Sequence, residues 1–252
     1  MMTNFTDVRT VKWLFVSSPM LIIFISLVYL FVVYFAGPRF MKNRQPYSCK
    51  AFMQGYNLFQ IIGNFLLVFN FVTKGKPFAV VWMYCVPFDE LCGSNTEELL
   101  QIIWWGLLMK LIDLIETIVF VLRKKDHQVS FLHTYHHVVT VYYVWLSLRY
   151  SYSFIMLMLT LNCSVHVIMY SYFYLSTFQN IQPRLLPYKK WLTFMQMVHI
   201  AFLMAVCLQG IYPTCDNEIM KFLSIISIVH GTANLLLFAN FYYNSYKKSK
   251  VV

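Results

Sequence analysis

Between positions 17 and 243 the chain is a succession of apolar runs, each about 20 residues long, separated by short polar loops. Runs of that length match the hydrocarbon thickness of a bilayer. In hydrocarbon every backbone N–H and C=O must be satisfied within the protein, and a helix does this within one segment. The runs fall at 17–37, 51–72, 99–122, 129–147, 154–175, 191–211 and 219–243. They predict an all-α polytopic membrane protein with seven transmembrane helices, forming one integral-membrane domain over residues 1–252. Only 12% of residues are charged and 59% are hydrophobic, too few charges to solvate a water-soluble domain of this size.

The net charge of +10 is distributed as topology dictates rather than as a nucleic-acid surface. Basic residues cluster at Arg39/Lys42/Arg44/Lys50, Arg123/Lys124/Lys125, Arg184/Lys189/Lys190 and Lys247/Lys248/Lys250, all in alternate loops. The acids Asp7, Asp89, Glu90, Glu97, Glu98, Asp216 and Glu218 occupy mostly the other side. Positive charge marks the cytoplasmic face, so the N-terminus is expected outside and the C-terminus in the cytosol. No signal-peptide pattern opens the chain, and the first run is expected to act as an uncleaved anchor. The sequon Asn4-Phe5-Thr6 agrees with a lumenal N-terminus. The tail Lys248-Ser249-Lys250-Val251-Val252 resembles a retrieval signal for the endoplasmic reticulum. Cys85, Cys92 and Cys215 fall in lumenal loops, where disulfides persist. Cys49 lies at a cytoplasmic edge, and Cys163 and Cys207 read as packing residues. No cysteine pair has zinc-finger spacing.

Ionisable side chains at membrane depth are costly and mark function. The segment Gln128-Val-Ser-Phe-Leu-His133-Thr-Tyr-His136-His137 places three imidazoles at i, i+3 and i+4. On a helix these share a face. The third run carries Lys110, Asp113, Glu116 and Thr117 on one arc, which must pair or face a wet cavity. An ion network that only fixes packing is the competing explanation. The fifth run carries Asn162, His166 and Tyr170 at i, i+4 and i+8, and the sixth Thr193, Gln196 and His199. Four helices with polar faces are arranged most economically around one shared interior. His127 at the boundary and His230 in the last run have no such company and read as structural.

These motifs resemble those of the membrane fatty-acid elongases, the very-long-chain 3-ketoacyl-CoA synthases of the endoplasmic reticulum. The family's Lys, acid, acid, Thr motif is similar to Lys110 through Thr117. Its histidine box is similar to Gln128 through His137, its Asn-to-Tyr motif to Asn162 through Tyr170, and its Thr and Gln motif to Thr193 and Gln196. Two departures are visible: the acids at Asp113 and Glu116 are exchanged in length, and a Gln is common where His199 stands. The resemblance implies helices enclosing a narrow acyl tunnel and condensation of a long-chain acyl-CoA with malonyl-CoA. It implies catalytic roles for Lys110, Asp113, Glu116, His133, His136, His137, Asn162 and His166, with His136 the carrier of an acyl group. Substrate-binding roles follow for Gln128, Tyr170, Gln196 and His199, and Lys124 and Lys189 would hold coenzyme phosphates. It pairs Cys85 with Cys215 rather than Cys92 with Cys215. It implies no metal and no cofactor, and partners in membrane lipid and in the ketoreductase, dehydratase and enoyl reductase of the elongation cycle. A homo-oligomer is compatible with it.

Two other classes compete. A di-iron desaturase or hydroxylase also uses an H-x-x-H-H box, but needs several boxes, and this chain has seven histidines in all. A seven-span receptor also places its N-terminus outside, but gives no role to an intramembrane Lys-Asp-Glu set.

Overall fold

The computed structural model describes residues 6–213, 215 and 217–247. The sequon at Asn4 and the tail Lys248–Val252 therefore lie outside the described residues. Within them are seven long helices and no strand. They are α1 (Pro19–Met41), α2 (Lys50–Lys74), α3 (Thr96–Leu122), α4 (Phe131–Arg149), α5 (Phe154–Leu175), α6 (Lys189–Cys207) and α7 (Glu218–Tyr242). Each lies where an apolar run predicts it, within a few residues at the ends.

Five segments are long and apolar enough to cross a membrane: α1, α2, α5, the stretch Gln182–Ile211 containing α6, and Glu218–Tyr246 containing α7. The protein is thus a multi-pass membrane protein. The other two long helices, α3 and α4, carry Lys110, Asp113 and Glu116 and the histidine box, and that polarity is what sets them apart. Large apolar side chains stand exposed along the apolar helices, among them Phe24, Leu27 and Phe31 on α1, Phe65, Leu66 and Phe69 on α2, and Val229 and Leu236 on α7. In water such a surface would aggregate; in lipid it is solvated.

The ends are capped as the sequence allows. Ser18 accepts a hydrogen bond from Met20 N ahead of Pro19 at the first helical position of α1, and Asn217 accepts from Ile219 N and Met220 N of α7. A π-helical turn at Val32–Ala36 interrupts α1 before Gly37-Pro38.

The chain divides into two compact units. The first comprises the residues up to Phe52 together with Ile103–Ser151, so it holds α1, most of α3 and α4. Its core is Tyr29, Val33, Leu114 and Val121, with Ile25, Ile118, Val129 and Val138 packed around them. Tyr29 donates a hydrogen bond to Thr117 Oγ1 at 2.8 Å, joining α1 to α3. Tyr34 and Thr134 hydroxyls meet at 2.7 Å, joining α1 to α4. A Cβ on Gly37 would lie 2.7 Å from Val121 Cγ1, so glycine permits this approach of α1 to α3. The segment before α1 folds onto the end of α4. Asp7 N donates to Arg149 O at 2.9 Å, Thr10 Oγ1 to Leu148 O at 3.0 Å, and Arg149 Nη1 to Val16 O at 3.1 Å. Burial pushes the Asp7 carboxyl up, but hydrogen bonds from Arg9 and Ser151 outweigh it and leave the group below its ordinary value.

The second unit comprises Met53–Ile102 and the residues from Tyr152 onward. Within it α6 and α7 pack along much of their length, and α5 packs on α6 and on the turn Pro77–Val81. Cys85 and Cys215 are joined by a disulfide, with Cα atoms 5.5 Å apart. It ties the loop before α3 to the loop between α6 and α7. Beneath it lie buried hydroxyls: Tyr84 bonds both Tyr152 and Ser224, the latter at 2.8 Å. Gly210 lies against them, since a Cβ there would come within 2.0 Å of Ser224 Oγ.

Two helices of this unit can be placed in register. Gln54 Nε2 on α2 donates to Thr177 Oγ1, just past the end of α5, at 2.9 Å. At the other end of α2 a Cβ on Gly75 would meet Met156 Sδ near the start of α5 at 3.5 Å. The two helices therefore run antiparallel. Between those ends Tyr56 and Tyr170 pack edge to face at 5.9 Å.

Candidate active site

In the first unit α3 and α4 bring the box and the charged motif together. Lys110 and Asp113, one helical turn apart, pair at 3.0 Å with side chains 3% and 1% exposed. Glu116 and Thr117 are buried on the next turn. Ser130 caps α4, its Oγ accepting from His133 N at 3.2 Å, which sets the box in the first two turns of the helix. One donor atom each from Glu116, His133 and His137 lie within 4.8 Å of one another. The His133 and His137 rings approach to 4.3 Å, and Phe120 flanks His133 at 5.5 Å. His133 Nε2 is buried and makes no hydrogen bond.

His136 adjoins that cluster through His137. Its ring meets His137 edge to face at 5.8 Å, and its backbone carbonyl accepts from Thr140. The helical period puts three histidines on one broad face; in the structure His133 and His137 converge with Glu116, and the His136 ring meets that of His137. Gln128 sits in a short 3-10 turn ahead of the box, half-buried. Lys124 is exposed, with positive φ, in the turn that follows α3.

In the second unit Asn162, His166 and Tyr170 form a buried stripe on α5, with His166 and Tyr170 rings 5.6 Å apart. Asn162 Oδ1 makes no hydrogen bond. On α6 Thr193 is buried and its hydroxyl meets that of Tyr246 at 3.4 Å. Gln196 Nε2 lies 3.2 Å from Met169 Sδ, which brings α6 to the α5 stripe. His199 is half-buried and Lys189 exposed. His230 bonds Asn234 within its own helix at 2.9 Å.

The sequence reading misses a polar row on α2. Tyr56, Asn57, Gln60 and Asn64 are all buried, Gln60 and Asn64 completely. Asn64 Nδ2 donates to Gln60 Oε1 at 3.0 Å, and Gln60 Nε2 to Tyr56 Oη at 2.9 Å. Tyr56, at the start of this row, packs on Tyr170 of the α5 stripe at 5.9 Å. The signal was present in the spacing of 56, 60 and 64.

The first unit offers imidazoles beside a carboxylate and a buried ion pair; the second, by itself, offers a buried imidazole and amides able to donate hydrogen bonds. That is equipment for nucleophilic attack, proton transfer and oxyanion stabilisation. Comparison with known proteins sharpens this. The sequence profile of the GNS1/SUR4 family matches residues 14–252. The chain belongs to the GNS1/SUR4 family. It is 32% identical over 246 residues to very long chain fatty acid elongase 1 of Mus musculus, covering 97% of this chain and 88% of that protein. It is 29% identical over 246 residues to very long chain fatty acid elongase 5 of the same organism, covering 96% and 79%. To very long chain fatty acid elongase 4 of Homo sapiens it is 29% identical over 248 residues, covering 98% and 78%.

Proposed function

We propose that this protein is a condensing enzyme of fatty-acid elongation, a very-long-chain 3-oxoacyl-CoA synthase and hence an acyltransferase. Membership of an elongase family over nearly the whole chain supports elongation. The observation that carries the chemistry is the Glu116–His133–His137 cluster, with the His136 ring 5.8 Å from that of His137. In the first half-reaction an imidazole nitrogen of His136 attacks the acyl thioester carbonyl. The C–S bond breaks, and coenzyme A leaves as a thiolate that takes up a proton. Malonyl-CoA then loses CO2, and the enolate carbon attacks the acyl-imidazole. The C–N bond breaks and a 3-ketoacyl-CoA two carbons longer departs, restoring His136.

Glu116, His133 and His137 orient the nucleophile and move protons. Lys110 and Asp113 hold the charge balance of α3 beneath them. His166 serves as close partner of the carrier. Asn162 and Gln196 donate to the oxyanion formed at the thioester carbonyl. Exposed Lys124 and Lys189 hold coenzyme phosphates. Seven spans with a lumenal N-terminus enclose an acyl tunnel, in which each buried CH2 contributes about 0.8 kcal/mol. The endoplasmic reticulum is the expected membrane, and the ketoreductase, dehydratase and enoyl reductase of the cycle the expected company.

The reaction is redox-neutral and driven by decarboxylation, so it requires no NADPH, oxygen or added metal. Purified protein given a long-chain acyl-CoA and labelled malonyl-CoA should yield labelled 3-ketoacyl-CoA and CO2 without them. A product formed only with iron and oxygen would replace this reading with an oxygenase.

A further inference from the structure

We propose that Glu116, His133 and His137 form a binding site for a zinc-type divalent cation, and that its occupancy inhibits the enzyme. Three donors within 4.8 Å of one another can share a centre no more than about 2.8 Å from each, that is, 4.8 Å divided by √3. Zinc binds imidazole nitrogen at about 2.0–2.1 Å and carboxylate oxygen at about 2.0–2.2 Å, so each donor needs to move by less than about 1 Å. The two histidines are one helical turn apart on α4, and Glu116 comes from α3, so two helices fix the donors. His133 Nε2 is buried with no hydrogen-bond partner, a nitrogen with unspent capacity on one of the three residues.

The donor set selects the ion. Two imidazoles and one carboxylate suit zinc, cobalt or iron(II), and disfavour magnesium and calcium, which prefer oxygen ligands. Three protein ligands leave a fourth position for water, as in open zinc sites. His133 lies in the first turn of α4, three residues from the polar loop 123–130, which is the expected entry for an ion from water. A bound cation takes up the imidazole lone pairs and the carboxylate that the proposed condensation uses to orient His136 and move protons. The inhibitory consequence thus rests on that reading; the site itself rests on geometry alone.

Cobalt titration of the full chain in detergent tests it. One equivalent of Co2+ should bind per chain, displaced by zinc, with the intense visible bands of a four-coordinate site. His133→Gln and Glu116→Gln should each weaken binding by about tenfold or more, while His127→Gln should leave it unchanged. A second measurement needs no variant. Zinc should protect His133 and His137 of the wild-type chain from diethyl pyrocarbonate and leave His127 reactive. Condensation should fall as the site fills and return on chelation. The site is overturned by the absence of stoichiometric binding, by equal affinity in His133→Gln and Glu116→Gln, or by equal modification with and without zinc. Binding that leaves condensation untouched overturns the inhibition. A chain that binds cobalt as described but never condenses acyl-CoA refutes the proposed function and leaves the site standing.

Discussion

Removing either half of the Lys110–Asp113 pair should be far more damaging than removing both. The two groups meet at 3.0 Å and are 3% and 1% exposed. At an effective dielectric of about 20, Coulomb attraction at that distance is about 5.5 kcal/mol. Desolvation of both ions offsets much of this in the intact protein. In a single variant the attraction is lost and the desolvation of the remaining ion is not, and broken buried pairs typically cost about 3–5 kcal/mol. Asp113→Leu and Lys110→Met should each destabilise by about that amount, whereas the double variant should lie within about 1–2 kcal/mol of wild type. Thermal unfolding in detergent, followed by loss of the monodisperse species, reads the three variants against wild type. If the singles add in the double variant, with coupling below about 0.5 kcal/mol, the pair is not a buried interacting unit and the reasoning fails. The double variant also separates structure from chemistry. A folded but inactive protein places the charges in catalysis, and a folded, active one makes them a packing device.

Two further outcomes follow from the fold. The Cys85–Cys215 bond closes a separation of 130 residues, for which chain entropy sets an upper bound near 5 kcal/mol. Cys85→Ser should therefore lower thermal stability markedly, and non-reducing peptide mapping of the wild type should show the linked pair; free thiols at both positions would remove that stabilisation from the account. Asp7 has its folded value depressed below 3.8, so its stabilising contribution is complete above that pH and fades as pH falls through the folded value. Asp7→Asn should flatten the acid limb of stability below about pH 4. An unchanged limb would show that Arg9 and Ser151 do not hold the carboxylate.

The long helices were legible because bilayer-length apolar runs admit few other structures. The disulfide partners were legible only through family resemblance, since Cys92 lies in the same loop as Cys85 and nearer in sequence to Cys215. Other features depend on tertiary placement. The convergence of His133 and His137 with Glu116 could not be read from a 3.6-residue period, which assigns positions to a broad face without saying which side chains converge. Tyr56, Asn57, Gln60 and Asn64 escaped notice because uncharged amides scarcely lower the apolarity of α2, although their spacing marks one face. The docking of residues 7–17 on the end of α4 rests on hydrogen bonds accepted by the backbone carbonyls of Leu148, Arg149 and Val16, acceptors that leave no trace in side-chain pattern.

The central claim is a covalent acyl group on His136, and it can be weighed directly. Purified protein is incubated with a long-chain acyl-CoA in the absence of malonyl-CoA, quenched, and examined by intact mass and by mapping of the peptide spanning Gln128–His137. The account predicts one acyl group per chain, located on His136, with an equivalent of free coenzyme A released, and discharge of that group on adding malonyl-CoA. No acyl adduct under conditions where condensation proceeds, or the adduct on another residue while His136→Ala still turns over, would contradict it.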